Sequence, residues 1–414
     1  NCYLNDGVSC TSNVQCLSQY CATNGKCAST NLLARAACID NIQCLSNSCS
    51  SGFCSAINLL VGESCLINSE CRSNLCSLGI CSMPTMPRAT DIEIEGNYAY
   101  LSGDSEGDFN KKDTVAVFDI FNPISSIQTG AIKNNLFAYE FDTQTNIESK
   151  GNFIFRMNPG TGNFIVIDAT DKNNPYIVSS KAVVEFPFPS STYSGRFSIK
   201  GNYAYILTYN PSTGGGVIVI DILNPALPRE ASRNYISGMF SRTPYLIETE
   251  GNYAYLFGDA GSNRLAVVDI SNPAALTLVG YVELPGVELS NLLSPPTDIS
   301  IVGNYAYVLY YGDSISNGAL LIFDISNKAN PSYVGKVNGI GGYGMEKKGN
   351  FLYIKSQKGN LLEIDLTNPR IPIQSRSFSA TFGGGIGIEN NGNYIYMSKM
   401  GNPPINPIEI INII

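Results

Sequence analysis

The sequence predicts an all-β protein: a seven-bladed β-propeller preceded by a small disulfide-rich repeat domain. Three observations carry this. A Gly-Asn turn motif returns seven times, with its glycine at 96, 151, 201, 251, 303, 349 and 392. Each copy is flanked by alternating or continuously apolar runs of strand length. All 13 cysteines lie between Cys2 and Cys81. Self-similarity at a period of this size is the signature of a propeller or solenoid.

Each repeat reads as four strands. An alternating run such as Asp91-Ile92-Glu93-Ile94-Glu95 precedes Gly-Asn. Glycine tolerates the positive φ of a two-residue hairpin. An aromatic alternating strand follows, as in Tyr98-Ala99-Tyr100. The third strand is more continuously apolar and ends in Asp: Val115–Asp119, Phe164–Asp168, Val217–Asp221, Leu265–Asp269, Leu320–Asp324 and Leu361–Asp365. An Asn-Pro turn comes next, where Asn bonds its own backbone and Pro presets φ. A fourth strand closes the unit. The seventh repeat departs from this, with Asn412 in the place of the aspartate and Ile408–Asn412 as its third strand. Its last blade is therefore expected to be incomplete. An uncovered strand edge is a template for pairing, so Ile408, Ile410, Asn412 and Ile414 are a candidate assembly edge. The linker Met83–Ala89, a neighbouring molecule or a continuation of the chain are candidates to cover it.

The predicted boundaries are 1–82 for the cysteine-rich arm, 83–88 for a linker and 89–414 for the propeller. The arm holds three four-cysteine units: Cys10, Cys16, Cys21, Cys27; Cys38, Cys44, Cys49, Cys54; Cys65, Cys71, Cys76, Cys81. Small secreted modules with too little core are held by disulfides. Two bonds per unit are expected. Four cysteines allow three connectivities, and spacing does not choose among them. The interleaved pairing, first to third and second to fourth, is the preferred expectation. Zinc is disfavoured because structural zinc sites use closer cysteine pairs. Cys2 is left over and is expected to be unpaired or intermolecular.

Other candidates carry less chemistry. Asp104, Glu106, Asp108 and Asn110 place oxygen ligands at alternate positions, as a calcium loop begins. The loop lacks the glycine and the terminal glutamate of that motif, and two lysines follow. The six strand-ending aspartates read as turn caps, since a catalytic group is not needed in every blade. Gly214–Gly216 and Gly383–Gly385 lack the lysine and helix of a phosphate loop. Tyr310-Tyr311 is a candidate stacking pair that reads more readily as the strand's own packing.

Composition bounds the function. The net charge is −8, which argues against nucleic acid and anionic membranes. No apolar run is long enough to span a bilayer. The chain begins at Asn1, which suits either a processed export precursor or a piece of a longer protein. There is no His and no Trp. That removes the commonest general base and metal ligand, and the expectation is that the chain is not an enzyme and uses no cofactor beyond the calcium candidate. No Asn-x-Ser/Thr site free of Pro occurs.

Val217–Pro225 (VIVIDILNP) and Leu265–Pro273 (LAVVDISNP), each behind a GNYAY strand, resemble the LVIVD-repeat propellers of bacterial and archaeal surface proteins. The resemblance recurs with variation in every blade. It implies a propeller fold, extracellular placement and interaction roles. The cysteine units resemble Dickkopf-type and nematode EB-type modules in their spacing alone. The expected function is a secreted, non-enzymatic surface or assembly protein, such as a filament subunit, with self-association or another surface protein as partner. The alternative is an adhesion module that recognises a glycan or protein through the propeller face.

Overall fold

The computed structural model describes residues 21, 49–50, 53–54, 59–60, 63–65, 68–71, 73, 75–86, 88–104, 114–134, 146–158, 161–183, 196–210, 212–236, 240, 244–259, 263–286, 296–311, 318–381, 385–400 and 406–414. The chain divides into two compact units, Asn1–Pro84 and Thr85–Ile414.

In the first unit, β1 (Cys49–Ser50) pairs with β2 (Phe53–Cys54), and β3 (Cys76–Ser77) pairs with β4 (Ile80–Cys81). Both hairpins set a unit's third cysteine opposite its fourth. In the third unit, disulfides join Cys65 to Cys76 and Cys71 to Cys81, the interleaved pattern. Cys65, Cys71 and Cys81 are buried and form the small core of this unit with Leu59 against them. Their sulfurs are close together. With each bonded to a partner cysteine, none offers the thiolate that zinc requires. Cys21 is also disulfide-bonded. Cys2, Cys10, Cys16, Cys27, Cys38 and Cys44 lie outside the described residues.

The second unit is a ring of seven antiparallel sheets. Blade 1 is β5 (Arg88–Glu95), β6 (Tyr98–Asp104), β7 (Thr114–Asp119) and β8 (Ile127–Lys133). Blade 2 is β9 (Ile147–Lys150), β10 (Phe153–Asn158), β11 (Asn163–Asp168) and β12 (Tyr176–Ala182). Blade 3 is β13 (Phe197–Lys200), β14 (Tyr203–Asn210), β15 (Gly214–Asp221) and β16 (Arg229–Tyr235). Blade 4 is β17 (Leu246–Glu250), β18 (Tyr253–Asp259), β19 (Asn263–Asp269) and β20 (Thr277–Glu283). Blade 5 is β21 (Pro296–Val302), β22 (Tyr305–Tyr310), β23 (Ala319–Asp324) and β24 (Ser332–Asn338). Blade 6 is β25 (Gly342–Lys348), β26 (Phe351–Ser356), β27 (Asn360–Asp365) and β28 (Ile373–Ser379). Among the described residues, blade 7 has three strands: β29 (Ile388–Asn391), β30 (Tyr394–Ser398) and β31 (Ile408–Asn412).

The predicted local chemistry explains each blade. Gly96 has φ +61° and Glu95 faces Tyr98, so Gly-Asn is a two-residue hairpin with glycine at its first central position. Asp119 accepts the N–H of Phe121 at 2.8 Å. Asp168, Asp221, Asp269, Asp324 and Asp365 repeat that bond two residues on. Asn412 does the same to Ile414. These carboxylates are turn caps.

Apolar residues fill the seams between blades. Val115 and Val117 of β7 pack with Ile154, Ile165 and Ile167 of blade 2. Five further clusters join blades 2 and 3, 3 and 4, 4 and 5, 5 and 6, and 6 and 7. Each buried aliphatic side chain contributes about 1.5–3 kcal/mol. Tyrosines of the aromatic strand reach the next blade: Tyr100 meets Lys172 Nζ at 2.9 Å, and Tyr307 donates to Pro369 O at 2.9 Å. They are packing residues, as is Tyr310, which is buried, lies edge-on to Phe257 and bonds Asn263. Tyr311 packs against Tyr343.

The ring closes where Ala89 donates to Lys399 O and Ile386 donates to Thr90 O. This corrects one detail of the predicted boundaries. Arg88 and Ala89 pair with Asp104 and Gly103 as the start of β5, and Met86 bonds Gln128 of β8. That stretch therefore does not cover β31. Gly280 shows how tight the seams are, since a Cβ there would lie 2.4 Å from Ala329 O in the next blade. Gly280→Val should cost about 1–3 kcal/mol by overpacking, read as a shift in the urea unfolding midpoint. Gly286, with open space around it, is the control; equal losses at both positions would refute the seam argument.

Candidate functional site

The inner strands β5, β9, β13, β17, β21, β25 and β29 line the axis of the ring. Strand side chains alternate between faces, so residues in the same register form level rings around the channel. Three residues before the turn glycine stand Glu93, Glu148, Ser198, Glu248, Ser300, Glu346 and Glu389. Five before it stand Asp91, Asn146, Arg196, Leu246, Asp298, Gly344 and Gly387. A cavity on the axis is lined by all five glutamates together with Asp91, Asn146, Arg196 and Asp298.

The lower level laces the ring together. Asp91 accepts Ile92 N–H at 3.0 Å and Ile147 N–H of the next blade at 2.9 Å. Asp298 repeats this with Ile299 and Met345, at 2.8 and 2.7 Å. Asn146 both accepts from and donates to the backbone of Phe197. Gly344 and Gly387 occupy this level where the backbones approach too closely for a side chain: a Cβ would lie 2.1 Å from Ile386 O and 2.3 Å from Ile92 N. Arg196 reaches from blade 3 past blade 4 to blade 5, where it donates to Thr297 O at 2.6 Å and stands 4.0 Å from Asp298. Its charge pulls both Asp91 and Asp298 down against their burial.

The upper level carries the site's electrostatics. Glu93 accepts from Ser149 Oγ at 3.2 Å, Glu148 from Asn146 at 3.2 Å, and Glu346 from Asn390. Glu248 and Glu389 have no side-chain hydrogen bond among the described residues. Burial raises every one of these carboxyls. Glu93 and Glu248 are pushed up to about 8, and Glu346 to about 7. Glu148 and Glu389 rise well above the usual carboxylate range, from burial and then the charge on Glu93. Below them Asp91 is raised to about 6 and Asp298 is also raised, each by burial against the pull of Arg196 and of backbone N–H groups. The channel is therefore crowded with carboxyls that repel when ionised. Among the described residues, no three of them bring oxygens within 4.8 Å of one another.

Beside the channel, at the seam of blades 6, 7 and 1, Lys355 is buried and donates to Gly385 O at 2.9 Å and to Ser398 O. Burial lowers it to about 7. Ser398 Oγ lies 3.4 Å from its Nζ and also bonds Gly387 N–H and Thr90 O. Neither side chain is exposed to solvent, and together they tie the closing seam.

The sequence singled out none of the five glutamates. Its signal was present: glutamate three residues before the turn glycine in EIEGN, ESKGN, ETEGN, EKKGN and ENNGN. The candidate calcium residues Glu106, Asp108 and Asn110 lie outside the described residues, and Asp104 ends β6. Ile408, Ile410 and Asn412 lie on β31, and Ile414 follows it.

The model of the LVIVD repeat matches residues 88–125, 193–234, 247–283, 296–339 and 347–379. These segments are LVIVD repeats. They fall on blades 1, 3, 4, 5 and 6. No curated protein matches the chain. Among solved structures, a putative 6-phosphogluconolactonase from Bacteroides uniformis is similar over 73% of this chain and 89% of its own, at 11% identity and TM-score 0.57. A protein from Lactobacillus plantarum is similar over 74% and 88%, at 11% identity and TM-score 0.54. The periplasmic gluconolactonase of Pseudomonas aeruginosa is similar over 71% and 86%, at 14% identity and TM-score 0.53. At these identities the likeness is one of fold. It nevertheless corrects the expectation that the chain is not an enzyme. That expectation rested on missing His and Trp, and the seven-bladed ring shares its fold with proteins named as lactonases.

The raised carboxyls have a consequence for stability. Each holds a proton in the folded chain at a pH where the unfolded chain has lost it, so their contribution is lost as pH rises. Lys355 acts in the opposite sense above pH 7, the value to which its folded form is lowered. Between about pH 5 and 7 the thermal midpoint should fall, and a Glu148→Gln/Glu248→Gln variant should flatten that slope. A profile unchanged by the double substitution would refute the assignment.

Proposed function

We propose that the chain is a secreted binding protein whose propeller admits a small cationic ligand, a hydrated divalent ion or an amine, into the acidic channel. The observation that carries this is the ring of five glutamates on one level of the axis cavity. Their carboxyls are raised by burial and mutual repulsion, and an entering cation relieves that repulsion as it displaces protons. The same field disfavours phosphorylated sugars: Arg196 is turned toward Asp298 and Thr297, and a phosphate would meet carboxylates on the level above. The disulfides of the cysteine-rich unit support an oxidising, extracellular setting. Among the described residues no helix is long and apolar enough to cross a membrane.

A second reading, as a subunit of a filament or other surface assembly, is favoured by the outer edge of β31, which has no partner strand among the described residues. Electron microscopy of native material without reductant tests it: regular assemblies support it and dispersed particles refute it.

Isothermal calorimetry of the purified chain at pH 8 tests the channel reading with calcium, manganese and a polyamine, against 6-phosphogluconate. At least one cation should bind with proton release, the sugar phosphate should not, and Glu148→Gln/Glu248→Gln should weaken the cation by about tenfold or more, roughly 1.4 kcal/mol. No heat with any of the three cations would refute the reading. Hydrolysis of an unphosphorylated sugar lactone that the same substitutions abolish would replace it with a hydrolase.

A further inference from the structure

We propose, resting on the cation reading of the acidic channel, that Lys347 is a tethered cation which straps the hairpin end of that channel and competes with the ligand for it. Glu250 holds the strap, so this one ion pair sets the affinity of the site. The ground is the path of one side chain, at a position where no other blade carries a lysine.

Every inner strand runs toward a Gly-Asn hairpin, so the seven hairpins surround one end of the channel. The glutamate level lies three residues before the turn glycine. The residues one and two before that glycine lie between the glutamates and the hairpin mouth. At one residue before, Lys150 donates to Gly201 O and to Asn202 Oδ1, each at 2.6 Å, and Lys348 donates to Gly392 O. Both lysines tie their own blade to the hairpin of the next. Lys347 stands two residues before the glycine, where the other blades carry Ile94, Ser149, Ile199, Thr249, Ile301 and Asn390. It reaches the opposite way, back across blade 5. Its Nζ donates to Ile301 O at 3.1 Å and to Glu250 of blade 4 at 3.2 Å. Blade 5 permits the crossing because it carries Ser300 and Val302 on the two levels where blade 4 carries Glu248 and Glu250. An acidic side chain in either place would have offered Lys347 a partner one blade nearer.

Lys347 also lines the axis cavity. Burial raises Glu248 and Glu346, and the charge of Lys347 pulls each of them back. Its ammonium is felt by a ring glutamate on either side of blade 5, and it does to those two groups what an entering cation would do. A second positive charge must approach against it or displace it. Either one lowers affinity, because charges interact strongly where water solvates them poorly. Displacement is within reach of a ligand. The side chains of Lys347 and Glu250 are 39% and 51% exposed, and an ion pair so open to water holds its partners weakly. Released from Glu250, the ammonium has Glu248, two residues earlier on the same strand, as the next carboxyl within its field. Glu250 therefore keeps Lys347 at the mouth, and its loss sends the competing charge inward.

Calorimetric titration of the 414-residue chain at pH 8 with calcium, manganese and spermidine tests the strap, with the thermal midpoint of each variant as the check that it folds. Lys347→Met should bind at least one of these cations tenfold or more tighter than the unsubstituted chain. Lys347→Gln, which removes the same charge and keeps a donor for Ile301 O, should do likewise. Glu250→Gln should weaken binding threefold or more in the unsubstituted chain. In the Lys347→Met background it should change binding less than twofold, since no strap is left to release. Lys150→Met removes an equal charge from the same rim and should also change binding less than twofold. Unchanged affinity in both Lys347 variants, an equal gain from Lys150→Met, or an equal loss from Glu250→Gln in both backgrounds would each overturn the strap and leave the cation reading standing. Absence of heat from the unsubstituted chain refutes the cation reading, and the strap falls with it.

Discussion

The structure depends on one repeated seam, in which a continuously apolar third strand is buried between neighbouring blades. Val117, Val166, Val219 and Val267 sit at the same place in four blades and are fully enclosed. A strand apolar on both faces has no stable place at a surface, so each blade requires a neighbour on either side. Seven such blades satisfy one another by closing into a ring, which removes the free faces that an open stack would leave. Closure then dictates the rest. It fixes the inner strands around an axis, and it brings turns such as Lys172–Pro175 and Ala329 against the fourth strand of the blade before.

The seam also explains why the channel can hold so much unfavourable charge. Asp91 and Asp298 accept two backbone N–H groups each, one of them from the next blade. They are raised by burial yet serve as lacing, since those bonds favour the ionised form. The glutamates above have fewer such bonds. Glu248 and Glu389 show no side-chain hydrogen bond among the described residues, and no structural duty accounts for them. Carboxyls that lace the ring and carboxyls that face its open axis thus stand on adjacent levels of the same strands. That difference makes the upper level, and Glu248 and Glu389 in particular, the candidate binding level.

Much of the fold was legible because its signals are local and repeated. The Gly-Asn hairpin, the Asp-capped turn and the apolar third strand each appear six or seven times, and each means the same thing everywhere. The incomplete seventh blade was legible for the same reason, as a break in a known pattern. The acidic ring escaped notice because each glutamate sits in a strand that looks like every other alternating strand. Only ring closure converts one register position in seven distant segments into a single level around an axis. Lys355 and Ser398 were invisible for a related reason, since Lys355 (β26) and Ser398 (β30) meet only at the seam that closes the circle. The exclusion of catalysis argued from residue types that were missing, and the likeness in fold to proteins named as lactonases overturns it.

Those carboxyls bear on how binding and reaction are related in this channel. At neutral pH Asp91, near 6, is largely ionised, Glu346, near 7, is about half protonated, and Glu93 and Glu248, near 8, hold their protons. Acid and base forms of the same group therefore stand on one short length of the axis, the arrangement that acid–base chemistry uses and that enzymes reach by burying carboxyls. A cation offers such a site only charge, draws the protons off and leaves the ring ionised. A neutral ligand would instead meet protonated and ionised carboxyls side by side, presented from different blades. The protein's part is the same in either case: it keeps ionisable groups where water solvates them poorly and holds them apart on separate strands. What distinguishes a binding channel from a catalytic one is whether the ligand that enters carries a bond those groups can break.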